Sequence, residues 1–206
     1  AGWSTQRALR RLRALDPRGT YDLNHVYLES ASTSARATSP AEGNAFSETT
    51  HIRVGLIDGG VDARQPALLD TTLHRHGCAG DFPSAHGTAV ASLLAGRSAA
   101  FQGAAPGAQL YAVDVYCGSA TGGAADAVAE ALGWLVGEKV PVINISLTGP
   151  ANQILANVVR LVIARGHLLV AAVGNDGPSA PARYPAAYPG VFGVTAVDAQ
   201  DRVLLE

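Results

Sequence analysis

"GGAADAVAEALGWLVGEKVPVINISLTGPANQILANVVRLVIARGHLLVAAVG", residues 122–174, decides the fold class. Val128, Ala131, Leu132 and Leu135 recur at helical spacing, so residues 122–139 predict a helix with one apolar face. "PVINISL" (141–147) is a short apolar run of strand length. "NQILANVVRLVIARG" (152–166) predicts a second helix, stopped by Gly166, since glycine readily adopts the left-handed conformation that closes helices. "HLLVAAVG" (167–174) is the next strand. Strands this continuously apolar are buried on both faces, and helices between them make the strands parallel.

The same alternation extends outward. "HIRVGLID" (51–58), "AQLYAVDVY" (108–116) and "GVFGVTAVD" (190–198) predict further strands, and "GTAVASLLAG" (87–96) a short helix. The expected fold is α/β, a parallel doubly wound sheet with helices on both faces. In such sheets ligands bind beyond the carboxyl ends of the strands.

The chain has 206 residues, 48 % of them apolar and 16 % charged, which suits a folded body rather than a disordered chain. A net charge of −2 carries no basic field, so nucleic acid is not an expected partner. The most apolar stretch contains Arg160, Arg165 and His167, and reads as a buried helix and strand rather than a membrane span. Residues 1–20 contain no apolar run of the kind a signal peptide needs.

Residues 1–48 differ from the remainder. "STQRALRRLRALDPRG" predicts a basic helix capped by Ser4 and ending before Asp16-Pro17, with Leu9, Leu12 and Leu15 on one face. "YDLNHVYLES" (21–30) reads as extended, and the Ser/Ala/Thr-rich run after it as a mobile linker. Two regions are expected: an N-terminal extension and linker (1–48), and the α/β body (49–206). Cys78 and Cys117, the only cysteines, either pair with each other or stand as two unrelated thiols. "HRHGC" (His74, His76, Cys78) offers metal-ligand types but no evident fourth ligand.

The polar residues with chemistry to offer gather at predicted strand ends. Asp58 ends an apolar strand before Gly59-Gly60, Asn144 lies in "PVINISL", Asn175 follows "VAAVG", and His86 opens a helix. Taken singly, Asp58 and Asn175 are ordinary turn residues and His86 a polar helix start. Together they supply an orienting carboxylate, a general base and an amide able to donate to a developing oxyanion.

Four motifs then carry a family resemblance. "VGLIDGGVD" resembles the Asp motif of the subtilisin-like serine peptidases, the subtilases, with Gly59 where Thr or Ser is more usual. "HGTAVASLLAG" resembles their His motif, "INISLTGP" the segment that binds substrate backbone, and "AAVGNDG" the oxyanion-hole motif. The resemblance spans residues 51 to 198. It implies a secreted or cell-envelope endopeptidase, with its signal peptide outside this chain, acting on peptide or protein substrates as a monomer. Asp58, His86 and Asn175 would be catalytic, and Ser146, Leu147, Thr148 and Gly149 would bind substrate. The chemistry requires no cofactor or metal; structural calcium occurs in the family, though no acidic cluster here marks a site. Residues 1–48 would include the end of a pro-region. The family's nucleophile lies in a Gly-Thr-Ser motif downstream of the region matching "VFGVTAVD". Neither Gly-Thr pair here, Gly19-Thr20 or Gly87-Thr88, precedes a serine. The nucleophile is therefore expected beyond Glu206, and residues 1–206 alone are expected to be inactive. The alternative is a pseudopeptidase or peptide-binding fragment.

Overall fold

The computed structural model describes residues 2–30, 52–99, 101–119, 123–177, 179–198 and 200–203. The expected linker and the boundary at 48/49 lie outside the described residues. In chain order the elements are α1 (Thr5–Leu15), β1 (Val26–Glu29), β2 (Arg53–Asp58), β3 (Leu73–His76), α2 (Ala85–Ala95), β4 (Arg97–Ser98), β5 (Phe101–Gln102), β6 (Gln109–Asp114), β7 (Gly123–Ala124), α3 (Ala125–Gly137), β8 (Val142–Ile145), β9 (Leu147–Thr148), α4 (Gln153–Ala164), β10 (Leu168–Ala172) and β11 (Phe192–Val194).

Six strands form one parallel sheet in the order β11-β10-β8-β2-β6-β3. The α/β class, the parallel sheet and its helices agree with the sequence reading. Strand β3 is the strand of this sheet that reading missed; the two-residue strands β4, β5 and β7 were missed as well, β7 lying inside the expected helix 122–139. "LHRH" lacks an apolar run because β3 is an edge strand, and His74 and Arg75 are exposed.

Strand periodicity divides the core between the two faces. Val54, Leu56, Leu110 and Ala112 join Ala91 and Ala95 of α2 in one buried cluster. Ile57, Tyr111, Val113, Ile143 and Ile145 join Val128, Leu132 and Leu135 of α3 and Leu155 and Val159 of α4 in the other. Burying a side chain such as Leu132 contributes about 1.5–3 kcal/mol. Gly166 has φ +87°, the left-handed stop expected after α4.

The N-terminal segment is built into this body. Ser4 caps α1, accepting from the Arg7 amide, and α1 itself buries no residue. Strand β1 lies antiparallel between β7 and β9 as the centre of a second, three-stranded sheet. Just before it, the residues of "DLNH" satisfy helix starts that α3 and α4 leave open. The Asp126 amide donates to Asn24 Oδ1 (3.1 Å) and the Ala125 amide to the His25 carbonyl (2.8 Å). The Gln153 amide donates to Asp22 Oδ2 (2.8 Å), and Asn152 Nδ2 donates to the Leu23 carbonyl (2.8 Å). The N-cap of α3 is Ala124, which has no side-chain acceptor, so Asn24 fills that role from a distant part of the chain.

Cys78 and Cys117 form a disulfide with a Cα–Cα distance of 5.5 Å, tying the turn after β3 to the turn after β6. The imidazoles of His74 and His76 stack on Tyr111 and Trp134 (centroids 4.3 and 4.6 Å apart), so both rings are used in packing. The disulfide spans a sequence separation of 39 residues, long enough for cross-linking to restrict the unfolded chain substantially. Replacing both cysteines by alanine is expected to lower stability by about 2–4 kcal/mol. Denaturant unfolding of the double variant beside the parent checks this, and an unchanged midpoint would show that the bridge adds nothing.

Candidate active site

Asp58 sits two residues after Leu56 on β2, so the pleat aims it at the α2 face rather than the α3 face. It is fully buried at the strand's carboxyl end. The start of α2 is brought against that end. Ser84 caps the helix, accepting from the Gly87 amide (2.9 Å), and the Ser84 amide donates to the Gly60 carbonyl (2.8 Å). Two glycines permit the approach. A Cβ on Gly87 would run into the Gly59 carbonyl, and a Cβ on Gly59 would run into the Ser84 hydroxyl and crowd Glu29. The unusual Gly59 thus has a steric reason.

This junction places His86, the second residue of α2, beside the carboxylate. His86 Nδ1 and Asp58 Oδ1 are 2.7 Å apart, and the Gly59 amide donates to the same oxygen (2.6 Å). With Nδ1 committed, Nε2 is the nitrogen free to exchange a proton with a reacting group. Burial pushes the Asp58 carboxyl upward, opposed by the His86 hydrogen bond and the Gly59 amide. The bond to Asp58 raises His86 above its ordinary value, against desolvation, and the Glu29 carboxylate adds to the rise. One ligand atom each from Glu29, Asp58 and His86 lie within 4.8 Å of one another. Within that group Asp58 and His86 are bonded to each other, and Glu29 comes from β1.

The segment 146–149 lies beside this pair and is the partner of β1. Asn144 Nδ2 donates to Ser146 Oγ (2.6 Å), joining two residues two positions apart on one face. Leu147 and Thr148 pair with Glu29 and Leu28 of β1, and the Ser30 amide donates to the Ser146 carbonyl (3.0 Å). Gly149 exchanges both backbone hydrogen bonds with Tyr184 (2.9 and 3.0 Å). The backbone of Ser30 also lies within hydrogen-bonding reach of the His86 imidazole. Strand β1 thus lies between β7 and β9, with Ser30 just after it towards His86.

Among the residues singled out from the sequence, the structure joins Asp58 to His86 directly and pairs Leu147 and Thr148 of segment 146–149 with β1. Asn175 stands exposed in the turn after β10 and makes no hydrogen bond to either residue of the pair among the described residues. Its neighbour Asp176 is ion-paired with Arg183. A cavity of about 270 Å3 opens beside that turn, lined in part by Gly174, Asp176, Gly177 and Arg183. Sequence reasoning missed that Tyr27 and Glu29 pair with β7 and β9 and that Ser30 reaches His86. The extended character of "YDLNHVYLES" was legible, but its partner lies more than 90 residues away in sequence.

The family model for subtilases matches residues 49–204. The chain is 32 % identical over 169 residues to subtilisin E of Bacillus subtilis (strain 168), covering 74 % of this chain and 42 % of that protein. It is 33 % identical over 175 residues to subtilisin BL of Lederbergia lenta, covering 80 % of this chain and 62 % of that protein. Among solved structures, the prenylagaramide maturation protease PagA superposes with a TM-score of 0.68 at 29 % identity, over 77 % of this chain and 59 % of that one. The patellamide maturation protease PatA superposes with a TM-score of 0.67 at 34 % identity, over 74 % and 59 %. The chain thus spans less than two thirds of each of these relatives. With the family model covering most of the chain and the fold agreeing, the chain belongs to the subtilase family of subtilisin-like serine peptidases.

Proposed function

We propose that the complete protein is a serine endopeptidase that cleaves peptide or protein substrates as a monomer outside the cytoplasm, in the medium or the cell envelope. One observation carries the reading: a buried carboxylate bonded to an imidazole that in turn reaches the backbone of an extended strand. The disulfide fits an oxidising compartment. A relative 30 % identical over 158 residues is named minor extracellular protease Epr. Among the described residues no helix is long and apolar enough to cross a membrane.

In this reading the attacking serine lies on a segment that follows residue 206, where the family resemblance places it. As its oxygen bonds to the scissile carbonyl carbon, His86 Nε2 takes the hydroxyl proton. Asp58 holds the imidazole by Nδ1 and favours the imidazolium that forms. Asn175 donates to the oxyanion. When the intermediate collapses, His86 returns the proton to the leaving amine, and water repeats the sequence on the acyl-enzyme. Ser146–Gly149 hold the substrate backbone as an added strand. Side chains alone perform these steps, so no cofactor is called upon. Residues 1–48 contain the end of a pro-region and its linker, and the pairing of β1 with β9 supports that assignment.

Fluorophosphonate labelling of the complete protein is expected to modify one serine, beyond residue 206, at one label per chain. Protein that folds and binds peptide yet never labels would be a pseudopeptidase. Replacing Asn175 with Ala is expected to lower kcat by about 10²–10³-fold with little change in KM. Equal turnover would remove the amide from the mechanism.

The raised imidazole sets the pH dependence. His86 must be neutral to accept a proton, so activity rises as pH climbs through its pKa, above the ordinary value of about 6.5. Asp58→Asn removes the interaction that raises it. The acid limb should then move to lower pH while kcat falls by about 10⁴-fold. A pH–rate profile of parent and variant tests both, and an unmoved limb would show that Asp58 does not set the His86 equilibrium.

A further inference from the structure

Asn144 interrupts an apolar row. Register aligns it with Val170 of β10 and Leu56 of β2, and Leu56 with Ala112 of β6, so the row across these strands holds three apolar side chains and one amide. A part-buried amide in such a row is costly unless it is bonded. Its Nδ2 donates to Ser146 Oγ (2.6 Å), two residues on along the same face. Ser146 in turn is level with Asp58. Ile145 pairs with Ile57, and the Ser146 amide donates to the Ile57 carbonyl (3.3 Å). Both side chains are buried, and the Ser146 hydroxyl lies within hydrogen-bonding reach of the carboxylate.

The carboxylate has a position open for it. Asp58 Oδ1 takes both the His86 ring (2.7 Å) and the Gly59 amide (2.6 Å). Oδ2 is buried and has no well-aligned donor among the described residues. Gly59 has no side chain to offer. Ser146 Oγ, having accepted from Asn144, still has a proton to give.

We propose that Asn144 is a positioning residue of the active site that acts through Ser146: its amide fixes the hydroxyl so that the proton goes to Asp58 Oδ2, which leaves Oδ1 to hold His86. The proposal rests on the peptidase reading. His86 of α2 and Glu29 of β1 are the titratable groups facing the carboxylate, and Tyr116, after β6, feels its charge. Asn144 and Ser146 carry no charge and act by bonding alone. A donor on Oδ2 takes up part of the Asp58 charge. Without it more of that charge faces the imidazolium, which then keeps its proton to higher pH. The direction is opposite to that of Asp58→Asn.

The test uses the complete protein and its Ser146→Ala, Ser146→Thr and Asn144→Leu variants, with Asn144→Leu also combined with Ser146→Ala. Two readouts are taken: the pH–rate profile of casein hydrolysis, and the NMR titration of the His86 ring, which needs no turnover. Ser146→Ala is expected to lower kcat by about tenfold with KM unchanged, the equivalent of one hydrogen bond to a charged group. It should also move both the acid limb and the ring titration to higher pH. Ser146→Thr keeps the hydroxyl and should match the parent. Asn144→Leu should move both readouts in the same direction as Ser146→Ala and add nothing when combined with it, since the two act through one bond. An unmoved titration in Ser146→Ala would overturn the donor chain. A loss from Asn144→Leu that adds to that of Ser146→Ala, with no movement of the titration, would make Asn144 a packing residue and overturn its positioning role. A parent protein that leaves casein intact would overturn the peptidase reading, while its ring titration and that of the variants would still decide the donor chain.

Discussion

The hydrogen bond between Asp58 and His86 is the interaction on which the arrangement depends. A carboxylate with no solvent exposure is costly unless it is paired, and removing the partner from a buried pair typically costs about 3–5 kcal/mol. To supply that partner, the start of α2 must come against the end of β2. That approach requires Gly87, because a side chain there would occupy the space of the Gly59 backbone, and Gly59 leaves room for the Ser84 and Glu29 side chains. The glycines, the Ser84 cap and the pair are therefore one steric and electrostatic unit.

The pairing of segment 146–149 follows from the same sheet. Ser146 begins where β8 ends, beside the end of β2, and its amide donates to the Ile57 carbonyl (3.3 Å). Segment 146–149 then runs on from the sheet, and Leu147 and Thr148 are left to pair with another strand while Gly149 bonds to Tyr184. Strand β1 takes that place, and its hold is distributed. Asp22 and Asn24 satisfy amides at two helix starts, Tyr27 enters the core cluster, and the Ser30 amide bonds to Ser146. Such a segment is an integral part of the body.

Glu29 connects the two halves of the site. Its carboxylate adds to the rise of His86 and is itself pushed upward, first by burial and partly by Asp58, with His86 opposing. The imidazolium is thus favoured while β1 is seated. The stability this contributes is full below the ordinary histidine value of about 6.5 and is lost as pH rises through the raised one.

The sequence by itself determined the local and periodic features. The helical spacing in 122–139 and 152–166, the stop at Gly166, the Ser4 cap and the apolar strands each depend on neighbours a few residues away. Asp58 and His86 were legible as a pair because each stands at a recognisable element end and in a recognisable motif. Edge strand β3 was not, since an edge position relaxes the demand for apolar residues that marks the inner strands. The pairing of β1 with β7 and β9, the capping of α3 by Asn24, and the burial of Tyr27 were decided by tertiary structure alone. Nothing in "YDLNHVYLES" specifies an acceptor for a helix about 100 residues away. Backbone hydrogen bonds carry no side-chain signature, and a tyrosine reads alike in a strand on the surface and in one that fills a slot in the core.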